Sequence, residues 1–202
     1  EDSKVTDMLI TLADKFLKTG ECEKELMAVV ERYRKIAEGL GLRNEIIKDI
    51  ENNLRTRISL GYDNREKFID RMKAAGEDNC ARLVAKYLRS IGYEAKYINP
   101  KDAGFILSDE YGNARVLPQS MKNLSKLKEN RGIMVFPGFF GYSHSGDVVT
   151  FSRGGSDITG SILAAALEAD VYENFTDVDC VFAASPKLVK NPKAIPVLTY
   201  KE

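Results

Sequence analysis

Hydrophobic residues recur every three or four positions through the first sixty residues, with polar residues between them. Three such stripes are present: Val5, Met8, Leu9, Leu12 and Phe16; Leu26, Val29, Tyr33, Ile36 and Leu40; and Ile47, Ile50, Leu54 and Ile58. This period places each stripe along one face of an amphipathic helix. We therefore predict three helices that bury these faces in a core.

Beyond these helices the pattern predicts helices that alternate with strands. We expect a helix from about Cys80 to Ser90, a strand over 93–98 and a helix over 123–129. The run Ile133-Met134-Val135-Phe136 is continuously apolar, which is typical of a strand buried on both faces. Shorter strands are expected at 105–107, 114–117 and 170–175. The pattern predicts an α/β fold, a three-layer αβα sandwich with a mostly parallel central sheet and a helix-rich N-terminal third.

Composition and charge narrow the class of protein. The chain has 202 residues, 44% hydrophobic and 30% charged, which indicates one globular domain. Lys plus Arg and Asp plus Glu both number 30, so no net charge favours nucleic acid or an acidic membrane surface. No apolar run approaches the ~20 residues of a membrane span. The three cysteines are scattered without metal-ligand spacing, so we expect reduced thiols, no protein-bound metal and a cytoplasmic location.

A glycine-rich turn is the first candidate for chemistry. Residues 151–160 read Phe-Ser-Arg-Gly-Gly-Ser-Asp-Ile-Thr-Gly, and an alanine-rich helix is predicted over 161–167. Gly154 and Gly155 allow close backbone approach to a ligand, and the N–H groups of a helix start attract anions. Arg153 offers a rigid pair of donors to a carboxylate or phosphate. A purely structural strand-to-helix turn explains this motif alone equally well.

A second motif favours the functional interpretation. Residues 175–182 read Phe-Thr-Asp-Val-Asp-Cys-Val-Phe, and Pro186-Lys187 follows. Together the two motifs resemble the aspartate kinases of the amino-acid kinase family, in which an Arg-Gly-Gly-Ser-Asp turn binds substrate and phosphates and a Thr-Asp-Val-Asp-Gly segment holds the nucleotide. Three further segments match in the family's order, so that the resemblance runs from end to end of the chain: Val5-Thr6-Asp7-Met8-Leu9, Gly76-Glu77 and Pro137-Gly138-Phe139.

The resemblance implies an enzyme that transfers the γ-phosphoryl group of ATP to the side-chain carboxylate of L-aspartate. The product in that family, 4-phospho-L-aspartate, enters lysine, threonine and methionine synthesis. ATP with Mg²⁺ carried by the nucleotide is implied, as is a homo-oligomer of a longer parent protein. Two alternatives remain: another amino-acid kinase, acting on glutamate, N-acetylglutamate, carbamate or UMP, and a non-catalytic nucleotide-binding or regulatory relative. Gly76-Glu77 and Arg153 argue against the first.

The family's substrate roles carry over by position. Thr6 would hydrogen-bond aspartate, Glu77 would pair with its ammonium group, and Phe139 would wall the pocket. Arg153 would clamp the substrate carboxylate as a catalytic residue. Ser156 would lie at the substrate end of the turn, and Asp157 would be the second catalytic residue, orienting a lysine or metal.

Each of these residues also has a structural interpretation. Thr6 is suited to capping a helix, Glu77 to the first turn of one, and Phe139 to core packing. Ser156 and Asp157 are equally suited to a helix N-cap.

The family's nucleotide roles fall on seven residues: Gly154, Gly155, Thr176, Asp177, Phe182, Pro186 and Lys187. Several neighbouring positions depart from the family pattern. Cys180 replaces the usual glycine and Phe182 a common tyrosine, while Ser185 replaces aspartate and Lys187 replaces arginine. Lysine keeps the charge of arginine but loses its forked geometry.

The expected organisation follows from the same resemblance. Residues 1–202 would be an amino-acid kinase catalytic domain, incomplete at both ends, without the family's Lys-x-Gly-Gly-Ser/Thr loop and regulatory ACT domains. Within it, 1–75 would be a helical substrate-side region and 130–202 the phosphate- and nucleotide-binding region. Because that lysine offsets charge on the transferring phosphoryl group, we expect no turnover by this chain alone.

Overall fold

The computed structural model describes residues 4–175, 180–185 and 188–197, and the chain divides into two compact units, Glu1–Tyr172 and Glu173–Glu202. The helices described in the first unit are α1 (Val5–Thr19), α2 (Glu23–Gly39), α3 (Glu45–Ser59), α4 (Arg65–Ser90), α5 (Gln119–Ser125) and α6 (Gly155–Leu167), with a 3₁₀ turn at Lys126–Glu129. Its strands are β1 (Ala95–Tyr97), β2 (Ile133–Val135), β3 (Phe140–Tyr142) and β4 (Val148–Thr150). The second unit contributes β5 (Val181–Phe182) and β6 (Ala194–Ile195).

The three predicted N-terminal helices are confirmed as α1, α2 and α3. Their apolar stripes meet in one core, in which Leu12, Val29 and Ile50 are fully buried. Ile36, predicted in the α2 stripe, is an exception, because it is 41% exposed. Phe68 and Met72 of α4 complete this core. Each large aliphatic side chain contributes roughly 1.5–3 kcal/mol when it leaves water, so the stripes account for the helical packing.

Helix α4 is longer than the sequence pattern predicts. It begins at Arg65 and not near Cys80, after Asn64, whose side chain accepts a hydrogen bond from the Lys67 amide at 3.0 Å and so caps the helix. Its middle turns bury small residues, Ala74, Ala75 and Gly76, which produce no stripe of large side chains. Helix α4 packs on α1 and α3 and also on β1, β2 and β4, so it connects the helical core with the strands.

The described strands form three pairs. β1 and β2 are parallel, whereas β3–β4 and β5–β6 are antiparallel hairpins. The predicted parallel sheet is thus represented by one pair within the described ranges. Ile133 in β2 is 40% exposed, so the expectation of burial on both faces is wrong at this residue. No strand forms over 170–175, and 105–107 and 114–117 contribute isolated bridges only.

A second core holds the β3–β4 hairpin against α5 and α6. Phe105, Leu124 and Val149 are fully buried there, with Phe151 and Ala166 beside them. This core fixes the segment between β4 and α6, in which the glycine-rich turn lies. Across the described ranges, no helix is both long and apolar enough to cross a membrane.

Candidate active site

The two glycines of the turn are required for different physical reasons. Gly154 is the N-cap of α6 and has φ +83°, a left-handed conformation that disfavours any side chain. Gly155 is buried, and a Cβ there would lie 2.6 Å from Phe151 Cβ and 3.0 Å from Phe139 Cδ2. Helix α6 therefore begins at Gly155, earlier than predicted, and its first turn lies directly against the aromatic residues that flank the hairpin.

A buried threonine joins the predicted Pro-Gly-Phe turn to α6. The Thr159 hydroxyl accepts a hydrogen bond from the Phe139 amide at 3.1 Å and donates one to the Gly155 carbonyl at 2.8 Å. Phe139 is half-buried and has φ +74°, a rare conformation for a bulky residue that tertiary contacts must hold. A Cβ at Gly138 would lie 3.0 Å from Ser156 Cα. The structure thus brings Phe139 and Ser156 together.

The polar residues of the turn face solvent. Arg153, Ser156 and Asp157 are all exposed, and Gly154 holds the N-cap position without a side-chain hydrogen bond. The N-cap interpretation of Ser156 and Asp157 is therefore wrong, since both lie inside the first turn. Within the described residues the Arg153 guanidinium has no hydrogen bond or ion pair, which leaves a cation available beside the start of α6.

Thr6 lies in the first turn of α1 and does not cap it. The N-cap is Lys4, whose own side chain makes no capping hydrogen bond. The capping interpretation of Thr6 is therefore wrong. Its side chain is half-buried, and its hydroxyl has no hydrogen bond among the described residues.

Glu77 lies midway along α4, far from the first turn of the helix. The interpretation of Glu77 as a first-turn acid is therefore wrong. Its side chain is half-buried and, within the described part of the chain, its carboxylate has neither a hydrogen bond nor an ion pair. Burial raises the pKa of this carboxyl above its ordinary value. A cationic ligand group would offset that cost.

Helix α1 packs closely against α4 at Gly76, the residue before Glu77. A Cβ at Gly76 would lie 3.3 Å from Leu9 Cδ1 and 3.7 Å from Val5 Cγ1, so the first turns of α1 contact α4 there. Thr6 follows Val5 and Glu77 follows Gly76, so the helix turns that carry these two residues pack against each other. Tyr33 of α2 donates a hydrogen bond to the Gly76 carbonyl at 2.8 Å and fixes the same turn.

Two positioning residues were missed by the sequence analysis. Asp70 of α4 is buried and accepts hydrogen bonds from the amides of Gly112 and Thr150, at 2.7 and 2.8 Å, and from the Thr150 hydroxyl at 2.9 Å. Thr159 is the other. Asp70 joins α4 to the end of β4, just before the Arg153 turn, and no short-range pattern reveals a pairing across 80 residues.

Most of the predicted nucleotide segment lies outside the described residues. This applies to Thr176, Asp177, Pro186 and Lys187. Phe182 is half-buried in β5 of the second unit, paired with Ala194 of β6. Cys180 has a free thiol.

Comparison with known proteins gives the family. A model of the amino acid kinase family matches residues 3–202. The chain is 54% identical over 202 residues to aspartokinase 3 of Bacillus subtilis strain 168, of which it covers 44%. It is 37% identical over 135 residues to the aspartokinase of Mycobacterium tuberculosis strain H37Rv. The chain therefore spans less than half the length of these curated relatives.

Solved structures show the same fold. Clostridium acetobutylicum aspartate kinase superposes with a TM-score of 0.75 and 31% identity over all of this chain and 43% of that chain. E. coli aspartokinase III in complex with aspartate and ADP superposes with a TM-score of 0.67 over 96% of this chain and 45% of that chain. At 24% identity the second likeness concerns the fold alone. The predicted amino-acid kinase fold is confirmed.

Proposed function

This chain belongs to the amino acid kinase family, and on that premise we propose that it forms the substrate-binding part of an aspartate kinase. The reaction transfers the γ-phosphoryl group of ATP to the side-chain carboxylate of L-aspartate and releases ADP and 4-phospho-L-aspartate. Relatives named aspartokinase, 54% and 37% identical, support this activity. Cytoplasmic location and homo-oligomeric assembly of the longer protein stay predictions.

Glu77 is the observation that carries the proposal. A half-buried carboxylate with a raised pKa and no partner among the described residues is unfavourable for the free protein. The ammonium group of an amino acid supplies the missing positive charge. This requirement favours amino-acid substrates over N-acetylglutamate, carbamate and UMP, none of which carries an ammonium group.

Arg153 supports recognition of the substrate's other charge. Its exposed guanidinium has no partner in the described residues, and it can form two parallel hydrogen bonds with a carboxylate. Ser156 and the half-buried Phe139 lie beside the same turn and can limit the size of the bound side chain. Glu77 is thus complementary in charge to the ammonium group of an α-amino acid, and Arg153 to a carboxylate.

The chemistry requires charge stabilisation more than proton transfer. A side-chain carboxyl with a pKa near ~4 is already ionised at neutral pH, so aspartate needs no general base. Its attack on a polyanionic phosphoryl group is opposed by repulsion. The first turn of α6 has no side-chain cap at Gly154, so its N–H groups can bind the phosphoryl oxygens, and Arg153 adds a positive charge. These groups lower the repulsion in the transition state.

Mg²⁺ fits this site as a companion of the nucleotide. The ion is commonly held by one or two carboxylates together with substrate phosphates, and it neutralises phosphate charge when bound. Asp157, in the first turn of α6, provides a carboxylate at the phosphate turn. We propose that Asp157 orients this ion or a lysine.

The test measures each subsite by calorimetry with L-aspartate. Arg153→Lys keeps the charge but loses the fork, and we expect aspartate affinity to fall about tenfold to a hundredfold because one charge-assisted hydrogen bond is lost. Arg131→Lys is the matched control, since Arg131 is also exposed. Equal affinities of Arg153→Lys and the unmodified chain would sink the assignment.

Glu77→Gln separates substrate from nucleotide recognition. It keeps side-chain size while removing the charge, so aspartate affinity should fall and ATP affinity should hardly change. L-glutamate is titrated in parallel, because stronger binding of glutamate than aspartate would support the other amino-acid kinase. A fall in ATP affinity alone would show that the two subsites are reversed.

A further inference from the structure

A cavity of about 430 Å³ lies at the turn end of the β3–β4 hairpin, between α3, α4 and the segment after β1. Its wall contains the side chains of five cationic residues and two acidic ones: Arg57, Lys67, Arg71, Arg82 and Lys101, with Asp78 and Asp147. We call it the cationic cavity. Its lining therefore has an excess of three positive charges.

Asp78 is already fully occupied. It is buried and pairs with Arg57 at 2.9 Å, and it accepts a second, longer hydrogen bond from Arg82 at 3.3 Å. The Tyr97 hydroxyl donates to its other oxygen. Arg57 also donates to the Arg71 carbonyl at 2.7 Å, so Arg57 is a structural cation of the wall.

Asp147 is likewise engaged. Its carboxylate pairs with Lys67 at 2.8 Å and accepts hydrogen bonds from Ser145 and Tyr111. Burial raises the pKa of Asp147, but these three partners outweigh it and hold the pKa below its ordinary value. Neither carboxylate of the wall is left to neutralise a further cation.

Arg71 and Lys101 lack a carboxylate partner within the described ranges. Arg71 Nε is buried with no acceptor, although its Nη2 donates to the Gly61 carbonyl. Burial and the nearby charge of Arg57 lower the pKa of the Arg71 guanidinium, and the carboxylates of Asp63 and Asp147 offset this only in part. The Lys101 ammonium is exposed and lies 5.8 Å from the centre of the Tyr142 ring.

We propose that the cationic cavity binds a multiply charged oxyanion, with Arg71 and Lys101 as its two unpaired ligands. Its volume lies in the range of small-molecule sites and exceeds the need of a single ion. The proposal is independent of the aspartate kinase assignment. Phe139 and Arg153 flank the open end of the hairpin, whereas Tyr142 and Val148 are paired at its turn end, about 10 Å away along three-residue strands.

The experiment uses pyrophosphate as the probe, with isothermal calorimetry and thermal unfolding as readouts. We expect pyrophosphate to bind and raise the unfolding midpoint. Lys101→Gln should weaken binding about tenfold, as expected for one lost charge-assisted contact, and Arg71→Gln should weaken it at least as much. Lys35→Gln, at an exposed site on α2, is the matched control and should bind as the unmodified protein does.

Lys101→Gln is the decisive variant, because an exposed lysine can be replaced without loss of packing even if Arg71→Gln unfolds. Arg153→Gln is included because the glycine-rich turn also attracts phosphates. Orthophosphate, sulfate and citrate distinguish a site for phosphate esters from one for any polyanion. Binding that is unchanged in both cavity variants, lost only in Arg153→Gln, or absent for every probe would overturn the proposal.

Discussion

The carboxylate of Asp70 holds both the amide and the hydroxyl of Thr150, at 2.8 and 2.9 Å. The amide of Gly112 donates to the same oxygen, Oδ2, that accepts from the Thr150 amide. Among the described residues, the other oxygen accepts a hydrogen bond from the hydroxyl alone and lies 3.9 Å from the Lys73 ammonium. Two backbone donors, the buried Thr150 amide and the partly buried Gly112 amide, therefore depend on a single side-chain oxygen.

The first prediction separates two substitutions of Asp70. Asparagine can keep an oxygen toward both amides while its NH₂ group donates to the Thr150 hydroxyl, so Asp70→Asn should cost less than about 1 kcal/mol. Asp70→Ala leaves the buried Thr150 amide and the partly buried Gly112 amide without their acceptor and should cost on the order of 3 kcal/mol in the free energy of unfolding. Urea denaturation measures both, with exposed Asp49→Ala as control. Equal losses for both Asp70 variants would contradict the hydrogen-bond assignment.

The second prediction concerns the stability cost of Glu77. Because burial raises its pKa, the folded state holds a proton more tightly than the unfolded state, so stability from this group falls as pH rises through the raised pKa. At neutral pH the charged side chain is therefore destabilising. We expect Glu77→Gln to unfold at a higher temperature at pH 7, and to lose this advantage below pH 4.5, the ordinary value. A lower unfolding temperature at pH 7 would mean that Glu77 has a structural partner.

The third prediction is the pH dependence of aspartate affinity. Only the ionised form of Glu77 can pair with an ammonium group. As the pH is lowered, aspartate affinity should therefore begin to fall at a pH above 4.5, the ordinary pKa of glutamate. Burial raises the pKa values of neighbouring Tyr33 and Cys80 above their ordinary 10.0 and 9.0, so both stay neutral there. Calorimetry from pH 4.5 to 8 checks this, and Glu77→Gln should remove that part of the dependence. A profile shared by both proteins would assign the titration to another group.

The fourth prediction contrasts the two glycines of the turn. In Gly154→Ala the new Cβ has open space around it, but alanine must adopt the left-handed backbone conformation, which costs roughly 1–2 kcal/mol. Gly155→Ala places Cβ 2.6 Å from Phe151 Cβ and should cost on the order of 3 kcal/mol, because backbone must move. Gly39→Ala, at the end of α2 with no atom within 4 Å, is the control and should not destabilise. A larger loss for Gly154→Ala than for Gly155→Ala would refute the packing argument.

The helices were predictable wherever large apolar residues mark the buried face. Leu12, Val29 and Ile50 do so in the first three helices, and all three are fully buried. The first half of α4 was not predicted although Phe68 and Met72 are buried in it, because the stripe is interrupted at Ala75 and Gly76, which make close contacts without large side chains. A hydrophobic pattern reveals large buried side chains, whereas two helices that pack closely need small residues where they touch.

The site was predictable only in part. Resemblance to a family identified Glu77 and Arg153 as candidates. The sequence could not show that neither side chain has an ion-pair partner among the described residues, because this depends on which residues the fold brings near them. Thr159 and Asp70 act on backbone groups 20 and 80 residues away, and such pairings leave no periodic signal. Local propensity also gives no reason for a phenylalanine at φ +74°, because the conformation of Phe139 is imposed by its neighbours.

The hydrogen bond from Tyr33 to the Gly76 carbonyl links helix α2 to the turn of α4 that carries Glu77, the residue proposed to bind the substrate ammonium group. At Gly76 the contact of α4 with α1 is made without a side chain, against Leu9 and Val5. The Tyr33 hydroxyl adds a hydrogen bond to the backbone at this point, one residue from the Glu77 carboxylate. If Glu77 holds the substrate ammonium group as proposed, substitutions on α2 that move this turn would change substrate preference through the position of the Glu77 carboxylate.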